Sequence, residues 1–127
     1  MKDAVNKLLA DGLSAVGVVC HVGKEDHRQR LVQTALKSFG KGHVDILVNN
    51  VAVSPAPGSL TDMDGSVWDK LFDLNVKAAL LMTKECVPHM REGGSVVFVS
   101  SVAGFTPRAP LSAYGITKVL SLPQTSS

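Results

Sequence analysis

Thiols are scarce in this chain, and the shortage closes off a function class. The only cysteines, Cys20 and Cys86, stand far apart and form no CxxC pair. That leaves no redox or zinc-type thiol pair and fits a reducing compartment with small buried thiols. Four histidines (His21, His27, His43, His89) show no HExxH or comparable spacing, so they read as ordinary surface or loop residues and no metal site is expected. No apolar run is long enough to span a bilayer and no signal peptide opens the chain, so a soluble, intracellular protein is expected. The net charge is only +2, and its densest basic patch, Lys24, Arg28 and Arg30, is interrupted by Glu25 and Asp26. That argues against a nucleic-acid groove. There is no internal repeat and no low-complexity segment.

What remains is a chain for one domain at most. Of its 127 residues 45% are hydrophobic and 19% charged, enough apolar content for a core. Met1 to Leu9 reads as the end of a helix, with Val5, Leu8 and Leu9 on one face and Asp11-Gly12 as its stop. Leu13 to Val22 predicts a strand buried on both faces, because Val16, Val18, Val19 and Cys20 form a near-continuous apolar run. Lys24 to Phe39 predicts an amphipathic helix with Leu31, Val32, Ala35, Leu36 and Phe39 inward and its charges outward. Val44 to Val48 is a second buried strand, and a Pro/Gly loop follows Asn49-Asn50-Val51-Ala52 to about Met63. Asp64 or Thr61 caps a long helix over 66–90, apolar nearly all round. Gly93-Gly94 leads into a third strand over 95–100, and a loop with Pro107 and Pro110 reaches a final helix. Alternation of strand and helix is the pattern of a parallel α/β architecture, whose binding sites lie beyond the carboxyl ends of the strands. Asn49 and Ser100-Ser101 both fall at that end.

The final helix carries the chemistry. Tyr114 and Lys118 are four residues apart, which puts both on one helical face. An ammonium near a phenol favours the phenolate, and a phenol so tuned can pass a proton to or from a substrate oxygen. Ser101 can hydrogen-bond the same oxygen. Taken singly, each residue has a plainer reading: Asn75 as a polar residue tolerated in a helix, Asn49-Asn50 as a strand-to-loop turn, Ser101 as a backbone cap, Trp68 as packing.

Together they form a pattern. Asp45-Ile46-Leu47-Val48-Asn49-Asn50, Leu74-Asn75-Val76, Gly94-Ser95-Val96-Val97-Phe98-Val99-Ser100-Ser101 and Tyr114 with Lys118 resemble the short-chain dehydrogenase/reductase family in order and spacing. Val19-Cys20-His21-Val22-Gly23-Lys24 and Val67-Trp68-Asp69-Lys70 are most similar to its peroxisomal NADP-dependent carbonyl (retinal) reductase branch. The resemblance implies a Rossmann-like doubly wound parallel sheet, here partial, with strands three to five of the family plan and their flanking helices. It implies NADP(H)-dependent interconversion of carbonyls and alcohols, the hydride coming from the nicotinamide. Tyr114 would be the general acid, and Lys118 would tune it and bind the nicotinamide ribose. Ser101 would orient the substrate carbonyl. Asn75 would hold a break in its helix and a proton-relaying water, and Asn49 and Val51 would sit beside the cofactor. No metal is implied.

The chain also departs from that plan. It contains no Gly-rich turn after a strand near its start, the element that takes the cofactor's pyrophosphate at a helix N-terminus. Val51-Ala52 stands where the family has Ala-Gly, and His21 where many members carry an adenine-contacting aspartate. The expected organisation is therefore an incomplete domain over 1–118 and a divergent tail over 119–127, with Pro123 stopping the helix. In the strand order 3-2-1-4-5-6 the fourth and fifth strands pair, and the third either packs somewhere new or keeps an unpaired edge. Little or no activity is expected of a shortened isoform of this kind, and cofactor binding should be impaired. A second expectation is a non-catalytic fragment pairing with full-length subunits, as a homo- or hetero-oligomer, through the helices over 66–90 and 112–120. Thr125-Ser126-Ser127 is no peroxisomal tripeptide, so the expected location is the cytoplasm, with the nucleus open to so small a chain.

Overall fold

The computed structural model describes residues 1–54, 60–106 and 109–120. Five α-helices and two strands form in the order α1 (Lys2–Ala10), α2 (Glu25–Ser38), β1 (Val44–Asn49), α3 (Gly65–Phe72), α4 (Ala78–Cys86), β2 (Met90–Phe98) and α5 (Ser112–Val119). β1 and β2 pair in parallel, with Leu47 beside Val96 and Asn49 beside Phe98. This is a partial α/β Rossmann-like unit, and the pairing of the two later strands is the one expected. The loop over 55–59, Pro107 and the tail with Pro123 lie outside the described residues.

The segment over 13–22 corrects the sequence expectation. It runs without helix or ladder assignment, and Leu13, Val16 and Val19 are exposed. A strand needs a neighbour to take its backbone groups, and among the described residues no strand bonds this one. Arginines of α2 take two of its carbonyls instead: Arg28 Nη1 donates to Val22 O at 2.8 Å and Arg30 Nη2 to Val19 O at 2.8 Å. Arg28 is thereby buried, so the charges of α2 do not all face outward, while Phe39, expected inward, is exposed. Cys86 is buried as expected, but Cys20 is only half-buried.

The predicted long helix is a rod in three parts. Asp64 caps α3, its carboxylate accepting from Ser66 N at 2.8 Å. The rod opens into a π-helical turn over Asp73–Lys77 and resumes as α4. It ends earlier than expected, at Cys86, because Pro88 has no N–H to continue the ladder and a 3-10 turn over Val87–His89 takes its place. β2 then begins at Met90 rather than Ser95. Its register slips between the Val44–Met90 and Ile46–Ser95 pairs, and Gly93 absorbs the slip at φ 72°.

One face of the sheet is packed and the other is open. Val32, Met82 and Cys86 form a buried cluster with Leu31, Leu36, Val44, Leu47 and Met90, joining α2 and α4 to β1. On the opposite face Ile46, Val48 and Val97 are exposed, although parallel sheets ordinarily bury both faces.

Candidate active site

The site is assembled at the carboxyl ends of the two strands. Asn49 closes β1, and Val99 N donates to its carbonyl at 3.0 Å, extending the ladder one residue past β2. Its side-chain Nδ2 donates to Thr83 Oγ1 on α4 at 3.1 Å, so the amide ties strand to helix. Asn49, Asn50 and Val51 line a pocket of about 100 Å³ together with Val22, Leu74 and Ala78.

Ser101 opens the 3-10 turn Val102–Gly104, its Oγ accepting from Ala103 N at 3.2 Å. α5 lies directly on this turn because Gly115 has no side chain. A Cβ there would come within 2.5 Å of Ala103 O, and one on Gly104 within 3.1 Å of the Lys118 carbonyl carbon. Two glycines thus allow the backbone approach that sets the Tyr114 helix against the Ser101 turn.

Lys118 is anchored from both ends. Its Nζ donates to Val99 O at 2.7 Å, and Ser100 Oγ donates to its carbonyl at 2.6 Å. The ammonium lies 5.8 Å from the centre of the Tyr114 ring. Only 4% of the lysine is exposed. Burial pushes its pKa below the ordinary value, because desolvation penalises the charged form.

Asn75 sits in the π-turn, 2% exposed. Its Oδ1 accepts from Val53 N at 2.8 Å, while Nδ2 donates to Val53 O at 2.9 Å and to Thr117 Oγ1 at 3.0 Å. The first two bonds make the amide mimic a strand partner for the loop after β1, and the third reaches α5. Both amide hydrogens are therefore engaged within the protein.

These positions can be set against known proteins. The sequence profile of the short chain dehydrogenase family matches residues 1–121. The chain belongs to the short-chain dehydrogenase family. Among its relatives, the human dehydrogenase/reductase SDR family member 4 is 52% identical over 126 residues, covering 98% of this chain and 45% of that protein. The tropinone reductase-like 3 of Erythroxylum coca is 41% identical, covering 98% and 48%. A short chain dehydrogenase from Burkholderia cenocepacia, solved in complex with NADP, superposes with a TM-score of 0.81 at 28% identity, covering 94% of this chain and 48% of that one. An NAD+-bound xylitol dehydrogenase superposes with a TM-score of 0.84 at 25% identity, covering 94% and 46%. The chain thus spans less than half the length of these relatives.

In this short-chain dehydrogenase chain, several residues that build the candidate site were not singled out by sequence. Thr83, Val53 and Thr117 bond Asn49 and Asn75, and Gly115 permits the packing; Ser100, placed by sequence only at the strand's carboxyl end, bonds Lys118. Only Gly115 left a trace, as a glycine inside a predicted helix, a position usually explained by close packing. A larger cleft of about 520 Å³ lies between the turn at His21–Lys24 and the α3–α4 rod, with Lys24, Lys70, Asp73 and Lys77 on its walls. Ser101, Tyr114 and Lys118 line neither this cleft nor the smaller pocket. Among the described residues no group of three or more His, Cys, Asp or Glu could hold a metal, and no helix is long and apolar enough to cross a membrane.

Proposed function

We propose that these residues are the proton-transfer half of an NADP(H)-dependent oxidoreductase that interconverts carbonyls, including ketones, dicarbonyls and retinal, with alcohols. The observation that carries the reading is the anchored pair on α5: a buried Lys118 fixed to Val99 O, with its ammonium 5.8 Å from the Tyr114 ring. Tyr114 Oη is the atom that gives its proton to the substrate oxygen during reduction. Ser101 Oγ accepts from Ala103 N, which leaves its hydrogen for the same substrate oxygen. The bound nicotinamide would supply the hydride.

The fit to a dinucleotide is one-sided. Lys118 and Tyr114, with Asn49 and Val51 at the end of β1, suit the nicotinamide end. Among the described residues the phosphate end has no counterpart: the positive-φ glycines there, Gly12, Gly40, Gly42 and Gly93, lie in a helix end, before β1 and within β2, none at a strand's carboxyl end. The 127 residues alone are therefore expected to turn over little or nothing. Titration of the folded chain with NADPH, followed through Trp68 fluorescence, tests this. Saturable micromolar binding with turnover of a dicarbonyl, abolished by Tyr114→Phe, would refute the inactivity.

A second reading is favoured by one surface. Ile116 and Val119 are exposed on α5 beside an apolar groove of about 220 Å³ formed with Ala103, Gly104 and Gly115. Such a face suits pairing of this chain, as a non-catalytic partner, with a full-length family subunit through the helices over 66–90 and 112–120. Sedimentation of a mixture with a full-length relative, against an Ile116→Glu control, separates this reading from the first.

A further inference from the structure

Thr117 is the least exposed residue of α5, at 0%. It lies between Tyr114 and Lys118 in sequence, one turn after Tyr114, and its side chain reaches the π-turn. Its Oγ1 donates to Tyr114 O at 2.7 Å and accepts from Asn75 Nδ2 at 3.0 Å. The same Asn75 side chain holds Val53 by two bonds. One hydroxyl therefore closes a chain of contacts from the loop after β1, through the π-turn, to the helix that carries the reacting phenol.

We propose that Thr117 is a positioning residue: its hydroxyl fixes the rotation of α5 relative to the Asn75 turn, and so sets where Tyr114 and Lys118 stand relative to the loop after β1. This rests on the oxidoreductase reading for its functional meaning. A helix of eight residues that meets the Ser101 turn through Gly115 on Ala103 has little side-chain shape there to resist rotation or sliding. A fully buried hydroxyl with a directional donor and acceptor resists both, because leaving either partner unbonded away from water is unfavourable. The bonds at Lys118, Ser100 Oγ to its carbonyl and its own Nζ to Val99 O, lie near the C-terminal end of the helix and act as a pivot. Two ties at different points are needed to define an orientation.

The test uses the 127-residue chain without cofactor, so failure of the oxidoreductase reading leaves its outcome unaffected. In the unaltered chain, the Asn75 side-chain amide protons should exchange with solvent at least about tenfold more slowly than those of exposed Asn6, as buried bonded groups do. Equal rates overturn the proposal before any variant is made. Thr117→Val keeps the shape and removes the hydroxyl, whereas Thr117→Ser keeps the hydroxyl. Tyr114 is the one tyrosine of the chain, so its ring resonances and their proximity signals to the Lys118 side chain are unambiguous. The expected result is faster Asn75 exchange and weakened Tyr114–Lys118 proximity in the Val variant, both restored in the Ser variant. A folded Val variant with both signals unchanged overturns the proposal. So does a Ser variant that fails to restore them. If the Val variant does not fold, the Ser variant and the Asn6 comparison still decide.

Discussion

Gly115 and Ala103 meet backbone to backbone: a methyl group added to Gly115 would lie 2.5 Å from the Ala103 carbonyl oxygen. The contact is what lets α5 rest on the turn that begins at Ser101. Gly115→Ala must therefore push the helix away, even though alanine is the better helix former. The expected loss is about 2–3 kcal/mol of stability, in the range of overpacked interiors, against a gain of about 1 kcal/mol from propensity in an open helix. Urea unfolding of the variant checks the sign, since a stabilised protein would mean the two elements are not in contact.

The Asn49–Thr83 bond joins the end of β1 to α4. Thr83→Val removes the acceptor and leaves a half-buried amide hydrogen without its partner. A loss of about 1 kcal/mol is expected. Thr83→Ser should recover most of it, and chemical denaturation of the two variants side by side measures the difference.

Two groups set opposite limbs of the pH dependence. Asp45 is held below the ordinary carboxylate value first by its hydrogen bond from Lys41, and further by the charges of Lys41, Arg91 and His43, with Arg91 Nε 2.6 Å away. A lowered folded pKa contributes stability above the ordinary value of 3.8, and that contribution is lost as pH falls through the lowered one. Lys118 has the same sign at the alkaline end. Its lowered pKa means the unfolded chain binds more protons just below 10.5, so stability rises with pH across that window. Asp45→Asn should flatten the acid limb of a stability–pH curve, and Lys118→Met the alkaline limb. Exchanged assignments would show that other groups dominate.

How much of this was legible in sequence follows from what each signal depends on. The helices α2 and α5, the strand β1 and the cap at Asp64 were readable because local periodicity and capping chemistry decide them. The strand expected over 13–22 was misjudged because an apolar run becomes a strand only when another strand accepts its hydrogen bonds. The early start of β2 was hidden by Gly93-Gly94, read as the lead-in to a strand at Ser95 and in fact a register slip inside the strand. The candidate residues Tyr114, Lys118, Ser101, Asn75 and Asn49 stood out through their order and spacing. The residues that bond them, Thr83, Val53 and Thr117, did not, since hydrogen bonds between residues as distant as Asn75 and Thr117 leave no local pattern.

The central claim is that Tyr114, with Lys118 and Ser101, forms a working proton-transfer site once a phosphate cradle is supplied. The direct measurement is NADPH-dependent dicarbonyl reduction by a chimera in which these residues replace the matching 126 residues of the human family member 4 protein. The account predicts measurable turnover that drops at least about a hundredfold in Tyr114→Phe, the scale of a lost general acid, with the fold unchanged. A folded, cofactor-binding chimera that is inactive, or whose activity survives Tyr114→Phe, would contradict it.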